Sequence, residues 1–565
     1  MTMKQLIECV PNYSEGRDKS VIDAIVASIQ SVEGIKVLDV DPGEATNRTV
    51  VTFVGEPADV CEAAFRGAAK ARELIDMRSH HGAHPRSGAT DVLPLIPVSG
   101  ITLEECAALA RSLAERLYRE LGIPCYCYEA AAFTPERRNL AVCREGEYEA
   151  LPEKMADPAR KPDFGGAWDE VAAKAGATNV GARNFLVAVN YNLNTTSTRR
   201  AMAVAFDVRE KGRKAREGGS LTGKLLKDEN GKQIWTPGTL KGTKAIGWYI
   251  DEYGIAQVSM NITDIEATPL HIAYEEVCAK AAARGLKVTG AEIVGLVPKR
   301  VLLEAGRFYL EKQQRSLGIS EEEIVKIAVK SMSLDDLKPF DPKEKVIEYL
   351  MADQKQGLAQ MTVEAFTRET ASESAAPGGG SVSAAMGAFA AALATMVANL
   401  SSHKRGWDAR WKAFSDVAEQ GQRLVDELLF LIDEDTAAFN RIMDCFSMPK
   451  GTDQEKAARA KALEEATLYA AQVPLRTMEA SLKALPLALQ MAREGNPASA
   501  SDAGVAALAA VAGIKGARLN VRINAAGLAD KVPAQPLLER ADAIVREAEE
   551  LQKQVLDAVD KHIEL

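Results

Sequence analysis

Three of the six histidines in the sequence, His80, His81 and His84, lie together in the segment IDMRSHHGAHPRSGATDV. The spacing HxxxH would place two zinc ligands one helical turn apart, but Gly82 and Pro85 disfavour a helix and indicate a loop. At the entrance of a strand, a histidine with a pKa near neutrality is a natural general base. These residues are compatible with a general base, with a solvated turn and with a metal site.

A pair of carboxylates and two arginines stand near the histidines in the sequence. We expect Val37, Asp39 and Asp41 to share one face of a strand, because side chains alternate with a two-residue period. The two aspartates could orient a base or hold a substrate amino group, and solvated turn carboxylates are the alternative. Arg48 and Arg86 are candidate partners for a substrate carboxylate, since a guanidinium can bind a carboxylate through two parallel hydrogen bonds.

A further carboxylate interrupts an apolar stripe in the segment RLVDELLFLIDEDTAAFNRIM. At about 100° per residue, Asp435 lies near the centre of that stripe, whereas Asp433 and Glu434 point elsewhere. An ionised carboxylate is costly to bury on an apolar face, so we expect a partner or a raised pKa, and hence a proton-transfer role. A helix face open to solvent or a structural ion pair would explain the same pattern. The stripe comprises Leu424, Leu428, Leu431, Ala438, Phe439 and Ile442.

The segment APGGGS contributes Gly378, Gly379 and Gly380 near the start of an uncharged stretch, 374–402. It lacks the pattern GxxxxGK[ST], so no nucleotide-binding P-loop is predicted. Three glycines permit a tight turn and expose backbone N–H groups to a flat polar ligand, and close helix packing would explain them equally well. The stretch is long enough to span a bilayer, but its Ala, Gly and Ser content predicts a buried core helix.

The order of strand-like and helix-like runs predicts the elements that carry these residues. We expect an α+β N-terminal half made of two ferredoxin-like βαββαβ-type subdomains, 1–180 and 181–333. A Gly-, Lys- and Pro-rich insertion, 212–243, interrupts the second subdomain. A polar linker, 334–357, then leads to an all-α helical C-terminal domain, 358–565.

The chain of 565 residues is acidic, with 69 Lys and Arg against 79 Asp and Glu and a net charge of −10. This balance argues against non-specific binding to nucleic acid or to an anionic membrane. The basic run 208–217 is an exception and fits either a solvated loop or a track for a polyanionic tail. Eight scattered cysteines without a CxxC pair, and a start that does not predict a signal peptide, lead us to expect a cytoplasmic protein.

Several long motifs resemble the formimidoyltransferase-cyclodeaminase family, in the same order and over essentially the whole chain. The motifs ECVPNYSEGRD, LDVDPGEATNRTVVTFVG, HHGAHPRSGATDVLP, GEYEALPEK and GWYIDEYGIAQVSMNITD resemble its formiminotransferase part. The cyclodeaminase part is resembled by APGGGSVSAAMGA, LIDEDTAAF and the region of Asp502.

The resemblance implies a bifunctional transferase and ammonia lyase of histidine degradation and one-carbon metabolism. The first half would move the formimino group of N-formimino-L-glutamate to N5 of tetrahydrofolate, and the second would close the product to 5,10-methenyltetrahydrofolate with release of ammonia. Alternatives are that one half alone is active, or that the C-terminal half acts as a methenyltetrahydrofolate cyclohydrolase-like enzyme.

The same resemblance implies site residues, a co-substrate and partners. His84 corresponds to the transferase histidine and Asp435 to the cyclodeaminase aspartate. The folate-contacting loop corresponds to Gly165, Gly166 and the residues up to about Gly176, where this sequence is two residues longer. A polyglutamylated tetrahydrofolate co-substrate, no metal, and a homo-oligomeric ring of dimers are expected.

Overall fold

The computed structural model describes residues 5–43, 47–82, 85–219, 223–351 and 357–563. His84, the predicted catalytic histidine, lies outside these residues, as does Ala83. The same holds for part of the predicted insertion, 220–222, and for the end of the predicted linker, 352–356.

The chain divides into two compact units. The first comprises Met1–Leu302 and Met332–Ala352, and the second comprises Leu303–Ser331 and Asp353–Leu565. The first is α+β and the second is helical, as predicted for the two halves.

The first unit contains two larger sheets with helices between their strands. Its strands are β1 (Leu6–Cys9), β2 (Asn12–Tyr13), β3 (Lys36–Gly43), β4 (Arg48–Gly55), β5 (Thr90–Ser99), β6 (Cys125–Glu129), β7 (Thr178–Ala182), β8 (Val187–Leu193), β9 (Arg213–Lys214), β10 (Trp235–Thr236), β11 (Thr243–Ile250), β12 (Ile255–Ile262) and β13 (Val288–Val294). Its helices are α1 (Lys19–Gln30), α2 (Pro57–Leu74), α3 (Leu103–Leu121), α4 (Leu140–Cys143), α5 (Leu151–Ala156), α6 (Glu170–Ala175), α7 (Thr198–Val208) and α8 (Leu270–Ala282).

The chain then passes through α9 (Lys299–Lys312), α10 (Glu321–Ser331), α11 (Pro342–Lys345) and α12 (Ile347–Met351). The helical unit continues with α13 (Val363–Thr370), α14 (Gly379–Ser402), α15 (Trp411–Ser447), α16 (Asp453–Glu494), α17 (Ala500–Gly527) and α18 (Gln535–Ile563).

The first sheet has seven strands in the order β1-β4-β2-β5-β7-β6, with β3 paired to β4 and an additional pairing of β1 with β5. The short strands β1 and β2 both pair with β4 and β5, so they share one position in the sheet. One face packs its apolar residues, including Ile7, Phe53 and Leu93, in one core with residues of α1, α2 and α3. Because side chains alternate along a strand, the residues between them form the opposite face.

Strand β3 departs from the simple alternation expected of Val37, Asp39 and Asp41. A β-bulge lies between Val37, which pairs with Phe53, and Asp39, which pairs with Thr52. Val37 therefore lies on the core face, whereas Asp39 and Asp41 lie on the opposite face, and both aspartates are exposed.

The second sheet has the order β11-β12-β8-β13 and is antiparallel throughout. Helix α7 contacts β11 and β12, and α8 contacts β8 and β13. Within the predicted insertion, β9 and β10 form a small antiparallel pair of their own.

The division between the units differs from the predicted boundary at residue 333. Residues 303–331 belong to the helical unit, where the Leu317 N–H donates to Ser415 Oγ (3.0 Å) and Asn399 Nδ2 donates to the Gly318 carbonyl (2.8 Å). The described part of the predicted linker packs in the first unit, because its apolar residues Val346 and Ile347 are fully buried.

The predicted core helix is α14, whose small residues line the core of the helical unit. A Cβ at Gly387 would lie 2.3 Å from Ser481 Oγ on α16, so glycine permits this close packing. By length and composition, Gly379–Ser402 and Pro497–Gly527 could each cross a membrane, yet 61% and 56% of their apolar windows are buried inside the protein. This burial is what a core helix requires.

Candidate active sites

Asn47 organises the N-terminal flank of the histidine loop. Its backbone is in the left-handed region (φ 47°) and its side chain is buried. Oδ1 of Asn47 accepts from the Gly16 N–H (3.0 Å) and its Nδ2 donates to the His81 carbonyl (3.0 Å). Its carbonyl oxygen lies 2.9 Å from His80 Nε2. One side chain thus joins three segments next to Arg48.

The histidines of the cluster differ in environment. His80 is buried, and burial lowers its pKa, so the ring is neutral near pH 7. His81 is exposed. Among the described residues, no cluster of three or more His, Cys, Asp or Glu side chains could hold a metal ion, and His84 is outside that set.

The C-terminal flank of the loop is fixed by backbone pairing with the end of α6. Ala177 N–H donates to the Ser87 carbonyl (2.9 Å), and Ala89 N–H donates to the Ala175 carbonyl (2.7 Å). Gly176 has φ +68°, and a Cβ there would lie 2.2 Å from the Ser87 oxygen. The close backbone approach therefore explains this glycine, which the family resemblance had assigned to folate.

Arg86 is buried and already bound by two carboxylates. Its Nη1 donates to Glu147 Oε2 (2.9 Å), and its Nη2 donates to Glu149 Oε1 (2.6 Å). These two ion pairs more than balance the charge of Arg86 within the protein. They also tie the histidine loop to the segment Tyr148–Ala150. With two carboxylates already bound, Arg86 has little attraction left for a substrate carboxylate.

A cavity of about 900 Å³ lies over the face of the seven-stranded sheet opposite the helices. Val50 on β4, Val92 on β5 and Tyr128 on β6 contribute to its floor. Cationic side chains outnumber carboxylates in its lining, six to three, which is a strong local reversal in an acidic chain. The cations are Arg48, Arg111, Arg138, Arg144, Arg183 and Lys244, and the carboxylates are Glu104, Glu129 and Asp264.

Arg48 alone, among the described residues predicted to bind substrates of the first reaction, lines this cavity. Asp39 is exposed on β3, and a Cβ at Gly165 would lie 3.2 Å from Pro124 and 3.3 Å from Tyr118. Gly166 faces open space, since a Cβ there would meet nothing within 4 Å. The predicted residues that do not line the cavity are Asp39, Arg86, Gly165, Gly166 and Gly176.

A buried carboxylate binds one arginine of the cavity and is influenced by the charge of a second. Asp91 is 1% exposed, and Arg144 donates to it from Nη2 and from Nε, the latter at 3.3 Å to Oδ1. The Ser87 N–H also donates to Asp91 Oδ1 (2.9 Å). Burial raises the pKa of Asp91, while Arg144 and Arg48 act to lower it. Arg48 itself donates to Asn12 Oδ1.

Two further carboxylates lie near the cationic cavity residue Arg183. Glu8 on β1 is 4% exposed, and burial raises its pKa to about 7 against the opposing effect of Arg183. Glu129 lines the cavity with φ 52°, a strained backbone for a residue with a side chain. Burial also raises the pKa of Glu129, and Arg183, Lys244 and Arg138 act to lower it.

The basic run 208–217 is largely engaged within the protein. The Arg209 guanidinium donates to the carbonyls of Gly212 (2.9 Å) and Ala245 (3.2 Å). Lys211 lies 4.4 Å from the ring centre of Trp235. Both residues line a cavity of about 600 Å³, to which Lys244 also contributes.

In the helical unit, a small cavity of about 130 Å³ brings together the two candidates that the sequence placed there. Gly378, Gly379 and Gly380 at the start of α14 face Asp435 on α15. A Cβ at Gly380 would lie 2.0 Å from Asp435 Oδ1, so the carboxyl packs directly against the glycine backbone. The prediction that Asp433 and Glu434 point elsewhere is confirmed, because Asp433 binds the Leu358 N–H (2.6 Å) and Glu434 binds Tyr469.

The expected perturbation of Asp435 is present. Burial raises its pKa, and the hydroxyl and backbone N–H of Ser381 partly oppose that shift. Ser381 Oγ lies 3.3 Å from Asp435 Oδ2. Leu424, Leu428, Leu431 and Ala438 of the predicted stripe are buried, and Phe439 and Ile442 line the cavity with Asp435.

Two asparagines that the sequence analysis missed complete this cavity. Asn520 Nδ2 donates to the Gly516 carbonyl (3.0 Å), and Asn524 Nδ2 donates to the Ala470 carbonyl (2.7 Å). One N–H of each amide is thereby used and fixes the orientation of the side chain, and the amide oxygens can accept from a ligand. The sequence signal that could have identified them is their spacing of four residues in the segment LNVRIN of α17.

Three family models match the chain in succession. They are described as "Formiminotransferase domain, N-terminal subdomain" (residues 6–183), "Formiminotransferase domain" (188–352) and "Formiminotransferase-cyclodeaminase" (362–543).

Full-length and partial relatives are also similar to the chain. It is 42% identical over 560 residues to a formimidoyltransferase-cyclodeaminase of Sus scrofa, covering 99% of both chains. It is 39% identical over 309 residues to a glutamate formimidoyltransferase of Streptococcus pyogenes, which covers 55% of this chain and 94% of that one. It is 37% identical over 202 residues to a methenyltetrahydrofolate cyclohydrolase of Methylorubrum extorquens, which covers 36% of this chain and 97% of that one.

Proposed function

This chain belongs to the formimidoyltransferase-cyclodeaminase family, and on that premise we propose that it is a bifunctional folate enzyme of histidine degradation. It transfers the formimino group of N-formimino-L-glutamate to tetrahydrofolate, releasing glutamate. It then cyclises 5-formiminotetrahydrofolate to 5,10-methenyltetrahydrofolate and releases ammonia.

In the first reaction, N5 of tetrahydrofolate attacks the formimino carbon and must lose a proton as a tetrahedral centre forms. We assign this proton to His84, which would return it to the leaving glutamate nitrogen. The assignment is supported by the anchoring of both flanks of the loop, through Asn47 before His84 and through Ser87 after it. The carbon of a protonated formimino group is already electrophilic, so the chemistry requires no metal.

In the second reaction, N10 attacks the same carbon and the amino group leaves as ammonia. We assign the proton transfers to Asp435, because a raised pKa suits a group that must donate a proton near neutral pH. The observation that carries this assignment is the packing of the Asp435 carboxyl against Gly380 in a small cavity.

We also propose that both halves of the α+β unit are ferredoxin-like subdomains, corresponding to 1–180 and 181–333. Strands β8, β11, β12 and β13, with α7 and α8 between them, follow a βαββαβ order, and their sheet order supports the proposal. The same pairing pattern relates β1, β3, β4 and β5.

The remaining expectations stay proposals of the same kind. The excess of cations around the large cavity supports an anionic folate, which we propose carries a polyglutamate tail. Glycines 378–380 would contact folate in the second site. We propose a cytoplasmic homo-oligomer, by family resemblance a ring of dimers, that binds neither nucleic acid nor membranes.

A coupled assay of the full chain tests both reactions together. Methenyltetrahydrofolate formation from formiminoglutamate and tetrahydrofolate, with equimolar ammonia, is the expected result. His84→Ala should abolish transfer but still cyclise supplied 5-formiminotetrahydrofolate, and Asp435→Asn should transfer but release no ammonia. Transfer at the wild-type rate by His84→Ala would disprove the first assignment.

The relationship to a methenyltetrahydrofolate cyclohydrolase favours one second candidate for the C-terminal half. A cyclohydrolase would hydrolyse supplied methenyltetrahydrofolate to the 10-formyl derivative and would release no ammonia from the 5-formimino substrate. Measuring both reactions on the same preparation decides between them.

A further inference from the structure

The side chains that line the small cavity of the helical unit include one carboxyl and two amides. Asp435 on α15 and the pair Asn520 and Asn524 on α17 provide them. The two asparagines lie four residues apart, so they stand on one face of α17. A Cβ at Gly379 would lie 3.7 Å from Asn520 Oδ1. A Cβ at the next residue, Gly380, would lie 2.0 Å from Asp435 Oδ1, so an amide and the carboxyl approach adjacent residues at the start of α14.

Each of the two amides is held through its nitrogen and has an oxygen to which no donor is bonded. Asn520 Nδ2 donates to the Gly516 carbonyl (3.0 Å), and Asn524 Nδ2 donates to the Ala470 carbonyl (2.7 Å). Within the part of the chain that the structure describes, neither amide oxygen accepts a hydrogen bond. An amide oxygen can only accept, so this cavity suits a ligand group that carries N–H bonds.

The size and charge of the cavity limit what it can hold. Its volume is about 130 Å³, whereas a pocket that encloses a whole drug-sized ligand usually measures about 300–1,000 Å³. It can therefore enclose only a part of 5-formiminotetrahydrofolate, and the part that must reach Asp435 is the formimino group. No cationic side chain is present among its described lining residues, so nothing there competes with a positively charged nitrogen for the acceptors.

We propose that Asn520 and Asn524 bind the amino group that leaves in the second reaction. This inference rests on the proposed cyclodeaminase function and names two further residues of its site. After N10 has attacked the protonated formimino group, the carbon carries an NH2 group, and Asp435 passes to it the proton that N10 loses. The C–N bond of the resulting NH3⁺ group then breaks, and its electron pair stays with the nitrogen. Ammonia leaves, and the 5,10-methenyl cation remains.

Three acceptors suit the departing group, because NH3⁺ has three N–H bonds and no lone pair with which to accept. The carboxylate of Asp435 accepts from one N–H bond, and the oxygens of Asn520 and Asn524 accept from the other two. These hydrogen bonds strengthen as positive charge forms on the nitrogen, so they stabilise the transition state more than the bound substrate. Loss of one of them should therefore slow the reaction without weakening the binding of the rest of the folate.

Two replacements of Asn520 in the full chain separate this role from a structural one. Asn520→Leu and Asn520→Asp both lose the N–H bond to Gly516, but only Asn520→Asp keeps an oxygen acceptor. We expect Asn520→Leu to lower kcat for ammonia release from supplied 5-formiminotetrahydrofolate by roughly 10–100-fold, with KM within about threefold of the wild type. Asn520→Asp should be about tenfold faster than Asn520→Leu, and the same ranking is expected at Asn524.

The matched control is Asn399→Leu. Asn399 Nδ2 also donates to a backbone carbonyl, that of Gly318 (2.8 Å), so its replacement removes a comparable hydrogen bond. Asn399 lies about 28 Å along α14 from Gly380, at about 1.5 Å per residue, and does not line the cavity. Its kcat and KM for ammonia release should equal those of the wild type. Chemical denaturation of every variant shows how far each replacement changes the stability.

The remaining outcomes each decide the question. Equal losses of kcat in Asn520→Leu and Asn520→Asp would show that the amide only braces α17, and they would overturn the proposal. Wild-type kinetics in Asn520→Leu would overturn it too. A raised KM with an unchanged kcat would assign the amides to the N–H groups of the pterin ring instead. If the wild type itself releases no ammonia, the proposed cyclodeaminase function fails, and the inference fails with it.

Discussion

Replacing Gly380 with alanine should remove the cyclodeaminase activity and leave the fold intact. The new Cβ would lie 2.0 Å from Oδ1 and 2.4 Å from Cγ of Asp435, where ordinary van der Waals contact begins at 3.4 Å. The carboxyl must therefore move by about 1.4 Å, the difference between these distances. It can do so because the atoms in conflict belong to the end of a side chain and not to the backbone.

We expect the substitution to lower the activity and to leave the free energy of unfolding nearly unchanged. Rotating Asp435 away from its present position costs about 0.5–1.5 kcal/mol if it leaves a favoured rotamer. Alanine in place of a helical glycine stabilises the helix by up to about 1 kcal/mol. The two effects oppose each other, so the free energy of unfolding should change by less than about 1 kcal/mol. A misplacement of about 1 Å at a reacting group can cost about 100-fold in rate, which is the loss we expect in ammonia release.

Ammonia release from supplied 5-formiminotetrahydrofolate measures the activity, and chemical denaturation measures the stability. The control is Gly504→Ala on α17, where the nearest atom to a new Cβ is Val559 Cγ2 at an ordinary 3.5 Å. This control should match or exceed the wild-type stability and keep both activities. Wild-type ammonia release by Gly380→Ala would refute the assignment, because the reaction would then not need Asp435 where it lies.

Two further predictions follow from buried carboxyl groups. Burial raises the pKa of Asp435, so the folded state loses stability as the pH rises through that pKa. Asp435→Asn should therefore gain thermal stability over the wild type as the pH increases from 4 to 8. Burial raises the pKa of Glu8 from 4.5 to about 7 in the folded protein. At ~1.4 kcal/mol per pKa unit, Glu8→Gln should therefore stabilise the protein at pH 8 by at most ~3.5 kcal/mol, with no gain near pH 4. Denaturant titrations at both pH values check the second prediction, and an equal gain at pH 4 would contradict the linkage.

The position of Asp435 could be predicted from the sequence because helical spacing is a local rule. Counting 100° per residue separates Asp435 from Asp433 and Glu434 without knowledge of any partner. Its contact with Gly380 could not be predicted in the same way, because it depends on where two helices meet. The sequence therefore identifies the glycines as candidates but does not explain why residue 380 is a glycine. The reason is that the Asp435 carboxyl occupies the space that a side chain at Gly380 would need.

Asp39 shows how a local rule fails in a strand. The two-residue period assumes an unbroken ladder, and the bulge between Val37 and Asp39 reverses the faces after it. As a result Val37 and Val40 both pack against the core, although they are three residues apart. Nothing in the residue types of this strand marks the position of the bulge.

The choice among arginines was beyond the sequence for a different reason. Arg48 and Arg86 are equal as residue types, and only their partners distinguish them. Glu147 and Glu149, which bind Arg86, and Asn12, which accepts from Arg48, come from other segments of the chain. Which of the two arginines lines the large cavity is therefore decided by contacts in the folded unit.

The two cavities offer opposite environments, and in the mechanism we propose the difference corresponds to what each reaction releases. The first reaction begins with a dicarboxylate and releases glutamate, and an excess of cations lines the large cavity, which we propose as its site. The second releases ammonia, and the described lining of its cavity offers the Asp435 carboxyl and two amide oxygens but no cationic side chain. A cationic lining would oppose protonation of the leaving nitrogen, whereas acceptors stabilise the ammonium that forms. In the mechanism we propose, Asp435 becomes a carboxylate once it has delivered its proton and would then hold this ammonium, so the same buried group would serve both chemistry and release.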